Sequence, residues 1–241
     1  VPCDLKRGTR CRARHVAGGD GAPARLAAGE DTVEQVGFYF NAKRSTGCKT
    51  CVLACKDYRD LDASVSFRRV YEVAHGSWAQ DDRGCWAHDC FAFYVSCACN
   101  HCSSPACMEV CPTGAMGKNE LGLVSVDERR CIGCGYCALS CPYHAPKVDR
   151  AVGHSVKCDG CFDRVADGGK PICVGAGPLR ALDFGPIADL RALRGRAADM
   201  PPLPDSSKTD PNLVLSLPAC MGKDADRVFA EGMVCNVREL V

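Results

Sequence analysis

Four runs of cysteine carry the chemistry open to this chain. The first is Cys48, Cys51 and Cys55; the second is Cys99, Cys102, Cys107 and Cys111; the third is Cys131, Cys134, Cys137 and Cys141; the fourth is Cys158, Cys161 and, eleven residues further on, Cys173. Thiolates are soft ligands that select iron–sulfur clusters, zinc or copper(I). Two-residue gaps let successive sulfurs turn toward one centre while backbone amides donate to it. A tetrahedral zinc site takes two separated pairs. The third run instead crowds four thiolates into eleven residues and is followed by Pro142, an arrangement that suits a compact multi-iron cluster better than one zinc ion. For the fourth run taken alone, zinc competes more closely. A radical-enzyme C-x3-C-x2-C spacing occurs nowhere, and overlapping C-x2-C pairs are not the single redox dithiol of a thioredoxin-like site.

The third run also matches the bacterial ferredoxin pattern C-x2-C-x2-C-x3-C-P, in which three thiolates hold one [4Fe–4S] cluster and the fourth ligates its neighbour. Crossing the second and third runs in this way predicts one cluster on Cys99, Cys102, Cys107 and Cys141, and another on Cys131, Cys134, Cys137 and Cys111. Cys3, Cys11, Cys85, Cys90, Cys97, Cys220 and Cys235 lack ligand spacing and read as buried or free thiols. His101 and His154 read as hydrogen-bonding loop residues.

The elements that must position these sulfurs recur. A β-rich piece (Val36 to Phe40) precedes the first run, and a short helical stretch (Val52 to Lys56) overlaps its end. Leu123 to Val126 precedes the third run, and Ala138 to Pro142 overlaps its end. Gly117 to Gly122 reads as the turn of a β-hairpin. Residues 1–34 are rich in Gly, Ala and Arg and read as a disordered extension. The expected segments are 35–64 (paired with 152–190), 90–120, 121–151, 152–190 as the fourth cysteine group, and 191–241 as a C-terminal arm. Met200 to Pro211 is Pro- and Asp-rich and is expected to lie extended on the surface or on a partner.

Composition bounds the rest. Cysteine accounts for 21 of 241 residues, with 46% hydrophobic residues and a formal net charge of +1. Disulfide scaffolds are usually short and secreted, which this chain is not. The charge balance gives no footprint for nucleic acid, and no stretch reaches the roughly 18 apolar residues of a membrane span. The first residues lack an apolar leader segment or a twin arginine, so the chain is expected in the cytoplasm or bound to a membrane through partners, and exported only as a passenger. Val1 is not an ordinary initiator residue.

Ser45 to Tyr58, Val65 to Tyr71, Cys99-Asn100-His101-Cys102, Lys157 to Val165 and Leu179 to Pro186 resemble the electron-transfer subunit of dimethyl sulfoxide reductase-type molybdenum enzymes, over about Val36 to Pro211. The resemblance implies an α+β fold of two ferredoxin-like modules, one inserted within the other, and a role in anaerobic respiration without catalysis by the chain itself. It implies four [4Fe–4S] clusters and two partners: a molybdopterin-containing catalytic subunit and a membrane anchor that oxidises quinol. A free-standing polyferredoxin is the alternative, and a zinc-stabilised interaction module a more distant one. It further implies that Cys158, Cys161 and Cys173 join Cys55, while Cys48 and Cys51 belong to a site with Ser45 and Gly177 where the family pattern has cysteines. Three clusters are therefore expected, with the fourth in doubt.

Overall fold

The structure, a computed structural model, describes residues 34–222 and 225–239. Nearly all of the expected N-terminal extension, with Cys3 and Cys11, lies outside the described residues. The chain runs through β1 (Val36–Asn41) and α1 (Thr50–Tyr58). Then come β2 (Arg69–His75), the hairpin of β3 (Trp78–Gln80) and β4 (Trp86–His88), and β5 (Phe91–Cys97). Next are α2 (Ala106–Glu109), the hairpin β6 (Met116–Lys118) and β7 (Val124–Val126), α3 (Tyr136–Ser140), and the hairpin β8 (Lys147–Asp149) and β9 (His154–Val156). The chain continues through α4 (Phe162–Ala166), α5 (Ile172–Ala176), β10 (Leu182–Pro186), α6 (Ile187–Arg194), β11 (Leu213–Ser216), α7 (Ala225–Glu231) and β12 (Met233–Val234). The fold is α+β.

Strand β1 is the middle strand of a three-stranded sheet. It pairs antiparallel with β10, Phe38 opposite Phe184, and parallel with β11, Phe38 opposite Leu213. A strand covered on both faces reads as a continuous apolar run, and Val36 to Phe40 are all buried. Phe38 and Phe40 join Leu182, Phe184, Leu213 and Leu215 in the main core. Tyr39 points the other way, onto Ile187 and Leu190 of α6, and its hydroxyl bonds Ser216 Oγ at 2.7 Å. A second sheet, in the order β12–β2–β5, turns Val73 and Val95 into the same core.

The hairpin expected around Gly117 to Gly122 is β6–β7, with Met116 opposite Val126. Asn119 Oδ1 fixes its turn by accepting from the amides of Leu121 (3.1 Å) and Leu123 (2.9 Å), and Gly122 supplies the positive φ of 69°.

The segment from 200 to 211 stays largely at the surface, with most of 201–210 at least partly exposed, but the chain is anchored on either side of it. Met200 is wholly buried. Asn212 Nδ2 donates to the His101 carbonyl at 2.7 Å, its amide donates to Asn100 O at 3.0 Å, and its carbonyl accepts from the Phe38 amide at 3.0 Å. The physical reason is the free edge of β1: pairing it with β11 satisfies that edge and buries Leu213, Val214 and Leu215. Proline and aspartate counts before β11 say nothing about this pairing.

Gly37 allows the close approach of β1 to Asn212. A Cβ there would stand 2.4 Å from the Asn212 carbonyl oxygen and 2.7 Å from Ile187 Cδ1, whereas a Cβ at Gly117 meets nothing within 4 Å. Gly37→Ala should cost about 1–3 kcal/mol and lower the thermal unfolding midpoint, with Gly117→Ala close to wild type. Equal midpoints for the two variants would refute this account of the sheet.

Candidate metal centre

The cysteine loops are shaped by left-handed backbone. Gly133, between Cys131 and Cys134, has φ 67°, and a Cβ there would meet Gly153 O at 2.4 Å. Lys49 (φ 59°), between Cys48 and Cys51, and Cys161 (φ 54°) hold the same region without being glycine. Such residues store strain of about 1–3 kcal/mol each and cluster at functional sites. The turns reverse the chain so that sulfurs spaced three residues apart face one side. Short helices then carry the remaining sulfurs: Cys55 on α1, Cys107 on α2, Cys137 on α3 and Cys173 on α5, all buried.

Two cavities gather the second and third runs. One is lined by Cys99, Cys102, Cys107 and Cys141, with Lys157 and Tyr143 in its wall. The other is lined by Cys111, Cys131, Cys134 and Cys137. Each therefore has three thiols from one run and the last thiol of the other. Backbone amides already face these sulfurs: Ala115 N donates to Cys111 Sγ and Ser155 N to Cys131 Sγ, both at 3.3 Å.

The first and fourth runs also meet. Helix α1 packs on α5, and the thiols of Cys55, Cys158, Cys161 and Cys173 are all buried; burial first, and neighbouring thiols after it, raise the proton affinity of Cys55, Cys158 and Cys161. A third cavity is lined by Ser45, Cys48, Cys51 and Gly177 together with Arg44, Lys49 and Leu182. Here the structure brings together the four positions paired by the sequence, with thiols at two of them. Cys48 is exposed and Cys51 half-buried.

Electrostatics decide what the four-thiol sets can hold. Burial pushes the thiols of Cys55, Cys102 and Cys107 up to about 12, and Cys158 is also pushed up by burial and by neighbouring thiols. Cys99 goes the other way: burial opposes its thiolate, but His101 and Lys157 outweigh burial and bring it down to about 5. Thiols so arranged bind as thiolates only when positive charge arrives among them.

Cations also lie buried alongside them. Arg68, Arg69 and Lys157 are 3%, 7% and 6% exposed, and among the described residues none forms an ion pair with a carboxylate. Lys157 Nζ donates to the Val124 and Cys158 carbonyls. Arg68 donates to Ser96 Oγ at 3.1 Å, and its Nε has no partner. Burial works against its charge, whereas thiolates at Cys173, Cys51, Cys158 and Cys55 would favour it. A buried charge left alone costs several kcal/mol. An iron–sulfur cluster held by four thiolates is net negative, and it would pair these cations and use these thiols at once. The residues present therefore fit such clusters at the complete sets.

Sequence reasoning did not single out Arg68, Arg69 or Lys157; the one available signal was that all three lie within the stretches that carry the family resemblance. His101 is wholly buried, and its Nδ1 accepts from the Val124 amide at 3.0 Å. His154 lies on β9 and bonds Ser155 O through Nδ1. Cys97 is buried, Cys220 half-buried, and Cys85, Cys90 and Cys235 are exposed.

Comparison with known proteins adds to this picture. Residues 90–187 match the family described as a 4Fe-4S dicluster domain. Over 183 residues the sequence is 58% identical to a subunit of the anaerobic dimethyl sulfoxide reductase of Haemophilus influenzae, covering 76% of this protein and 89% of that one. It is 58% identical over 181 residues to the protein of the same description from Escherichia coli, covering 75% and 88%. It is 40% identical over 144 residues to a thiosulfate reductase electron transfer subunit of Salmonella typhi, covering 59% and 71%.

Stripping iron should leave Arg68, Arg69 and Lys157 buried without their counter-charge. The apo chain should lose several kcal/mol and unfold at a markedly lower temperature by circular dichroism. Coincident transitions for iron-loaded and iron-free chains would refute this charge pairing.

Proposed function

This chain belongs to the family of iron–sulfur electron-transfer subunits of dimethyl sulfoxide reductase-type molybdenum oxidoreductases, and from that premise we propose that it relays electrons from a quinol-oxidising membrane anchor to a molybdopterin-containing catalytic subunit. The chain is an iron–sulfur carrier of [4Fe–4S] type. Each bound cluster supplies one-electron transfer; the chain's own residues hold it, exclude water and set its electrostatics.

The ligand assignment is part of the proposal. Cys99, Cys102, Cys107 and Cys141 hold one cluster, Cys131, Cys134, Cys137 and Cys111 a second, and Cys158, Cys161, Cys173 and Cys55 a third. Residues 90–120 and 121–151 make one module; 35–64 and 152–190 close around it as the other. The observation that carries this reading is the pair of cavities that each join three thiols of one run to the last thiol of the other. Amides directed at sulfur stabilise the thiolates, and Lys157 stands between the Cys99 cavity and Cys158, where its charge reaches both modules.

No helix among the described residues is long and apolar enough to cross a membrane. Membrane association is part of the same proposal: it would run through the anchor partner.

Two experiments test the reading. Cys141→Ala should remove the cluster of Cys99, Cys102 and Cys107, about four irons per chain, and spare the cluster of its own run; loss confined to its own run's cluster would sink the crossed assignment. Lys157→Met should keep the iron content and shift the midpoint potentials of the two adjacent clusters downward by something on the order of 50–100 mV, read by potentiometric titration. Unmoved potentials would exclude Lys157 as a tuning residue.

A further inference from the structure

The first cysteine run repeats the third with one change. Ser45, Cys48, Cys51 and Cys55 have the spacing of Cys131, Cys134, Cys137 and Cys141. Gly177-Pro178 repeats Cys111-Pro112: Gly177 is the C-terminal cap of α5, and Cys111 follows the C-terminal cap of α2. The folded chain completes the parallel. Just as Cys111 meets Cys131, Cys134 and Cys137 around one cavity, Gly177 meets Ser45, Cys48 and Cys51 around another.

The donors differ. Two thiols remain, Ser45 offers a hydroxyl, which is a harder and poorer donor to iron, and Gly177 offers no side chain. The cavity itself has not closed. Phe40, Val70 and Leu182 form part of its wall, and these are core residues that the sheets hold in place regardless of what fills the cavity. Gly177 has φ −65° and ψ 115°, ordinary for any residue. A Cβ at Gly177 would meet nothing nearer than Cys173 O at 3.9 Å. Serine and cysteine differ at position 45 only in oxygen for sulfur.

We infer that the Ser45–Cys48–Cys51–Gly177 cavity is a preformed cluster site two ligands short, so that this chain carries three stable [4Fe–4S] clusters and keeps Cys48 and Cys51 as a pair of free thiols. The inference rests on the assignment of the three complete sets proposed above. Its sharper content is that two substitutions rebuild a fourth site without other change to the fold.

The test uses the full chain, purified and reconstituted anaerobically, as wild type, Ser45→Cys, Gly177→Cys and the double variant. Iron and labile sulfide are counted, reduced-cluster signals are recorded, and native-state alkylation by N-ethylmaleimide is mapped by mass spectrometry. Wild type should hold about twelve irons, four per cluster, with Cys48 and Cys51 alkylated and the cysteines of the three complete sets protected. The double variant should gain about four irons and a further signal, with Cys48 and Cys51 now protected. About sixteen irons in wild type, or protection of Cys48 and Cys51 there, overturns the inference. So does a folded double variant, judged by its thermal transition, with no gain of iron. If the double variant does not fold, the wild-type alkylation map decides. Alkylation of the three complete sets would instead defeat the underlying assignment, an outcome separate from the response at Cys48 and Cys51.

Discussion

Charge compensation in the interior is the constraint on which the rest of this structure depends. Burial raises the proton affinity of Cys55, Cys102, Cys107 and Cys158, and burial also works against the charge of Arg68. Each of these groups, taken alone, is a cost to folding. Together with a compact group that supplies iron to the thiolates and net negative charge to the cations, they become mutually supporting. The interior is therefore organised as much by this exchange as by the apolar core, and its cysteine-lined cluster of Cys55, Cys97, Cys99, Cys102, Cys141 and Cys158 lies directly beside the buried arginines.

The scaffold serves that exchange by fixing loops. Left-handed turns at Gly133, Lys49 and Cys161 point sulfurs inward, and short helices end where the chain must turn away. The β1–β11 pairing then ties the cysteine loops to the core: Asn212 bonds both Asn100 and His101 of the second run, and His101 in turn accepts from the Val124 amide of the β6–β7 hairpin. One buried asparagine thus links a core sheet, a ligand loop and a hairpin. This is the rigidity that a carrier needs, because electron transfer depends on fixed distances between sites.

On the inference drawn for the cavity bounded by Ser45 and Gly177, a fold can outlast part of its chemistry. Part of its wall, Phe40 of β1, Val70 of β2 and Leu182 of β10, is held by strand pairing, so different donor atoms at two loop positions would leave that wall in place. The three complete sets have no such independence, since most of their thiols are themselves buried core residues.

The sequence by itself determined where the thiols lie and how they are spaced. Tight thiol spacing, the prolines behind Cys111 and Cys141, and the altered positions Ser45 and Gly177 are local features, and local spacing constrains which sulfurs can share a loop. The apolar run of β1 and the Asn119 turn were legible for the same reason, since each is set by residues within one turn or strand. Tertiary structure alone decided the rest. It put β11 beside β1, with Phe38 opposite Leu213 although they are 175 positions apart in the chain, drew Met200 into the core, and buried Arg68 and Lys157 among sulfurs from three different runs. Those outcomes are sums of long-range contacts and of charges brought together only by folding, and neither leaves a periodic trace in the residues that make them.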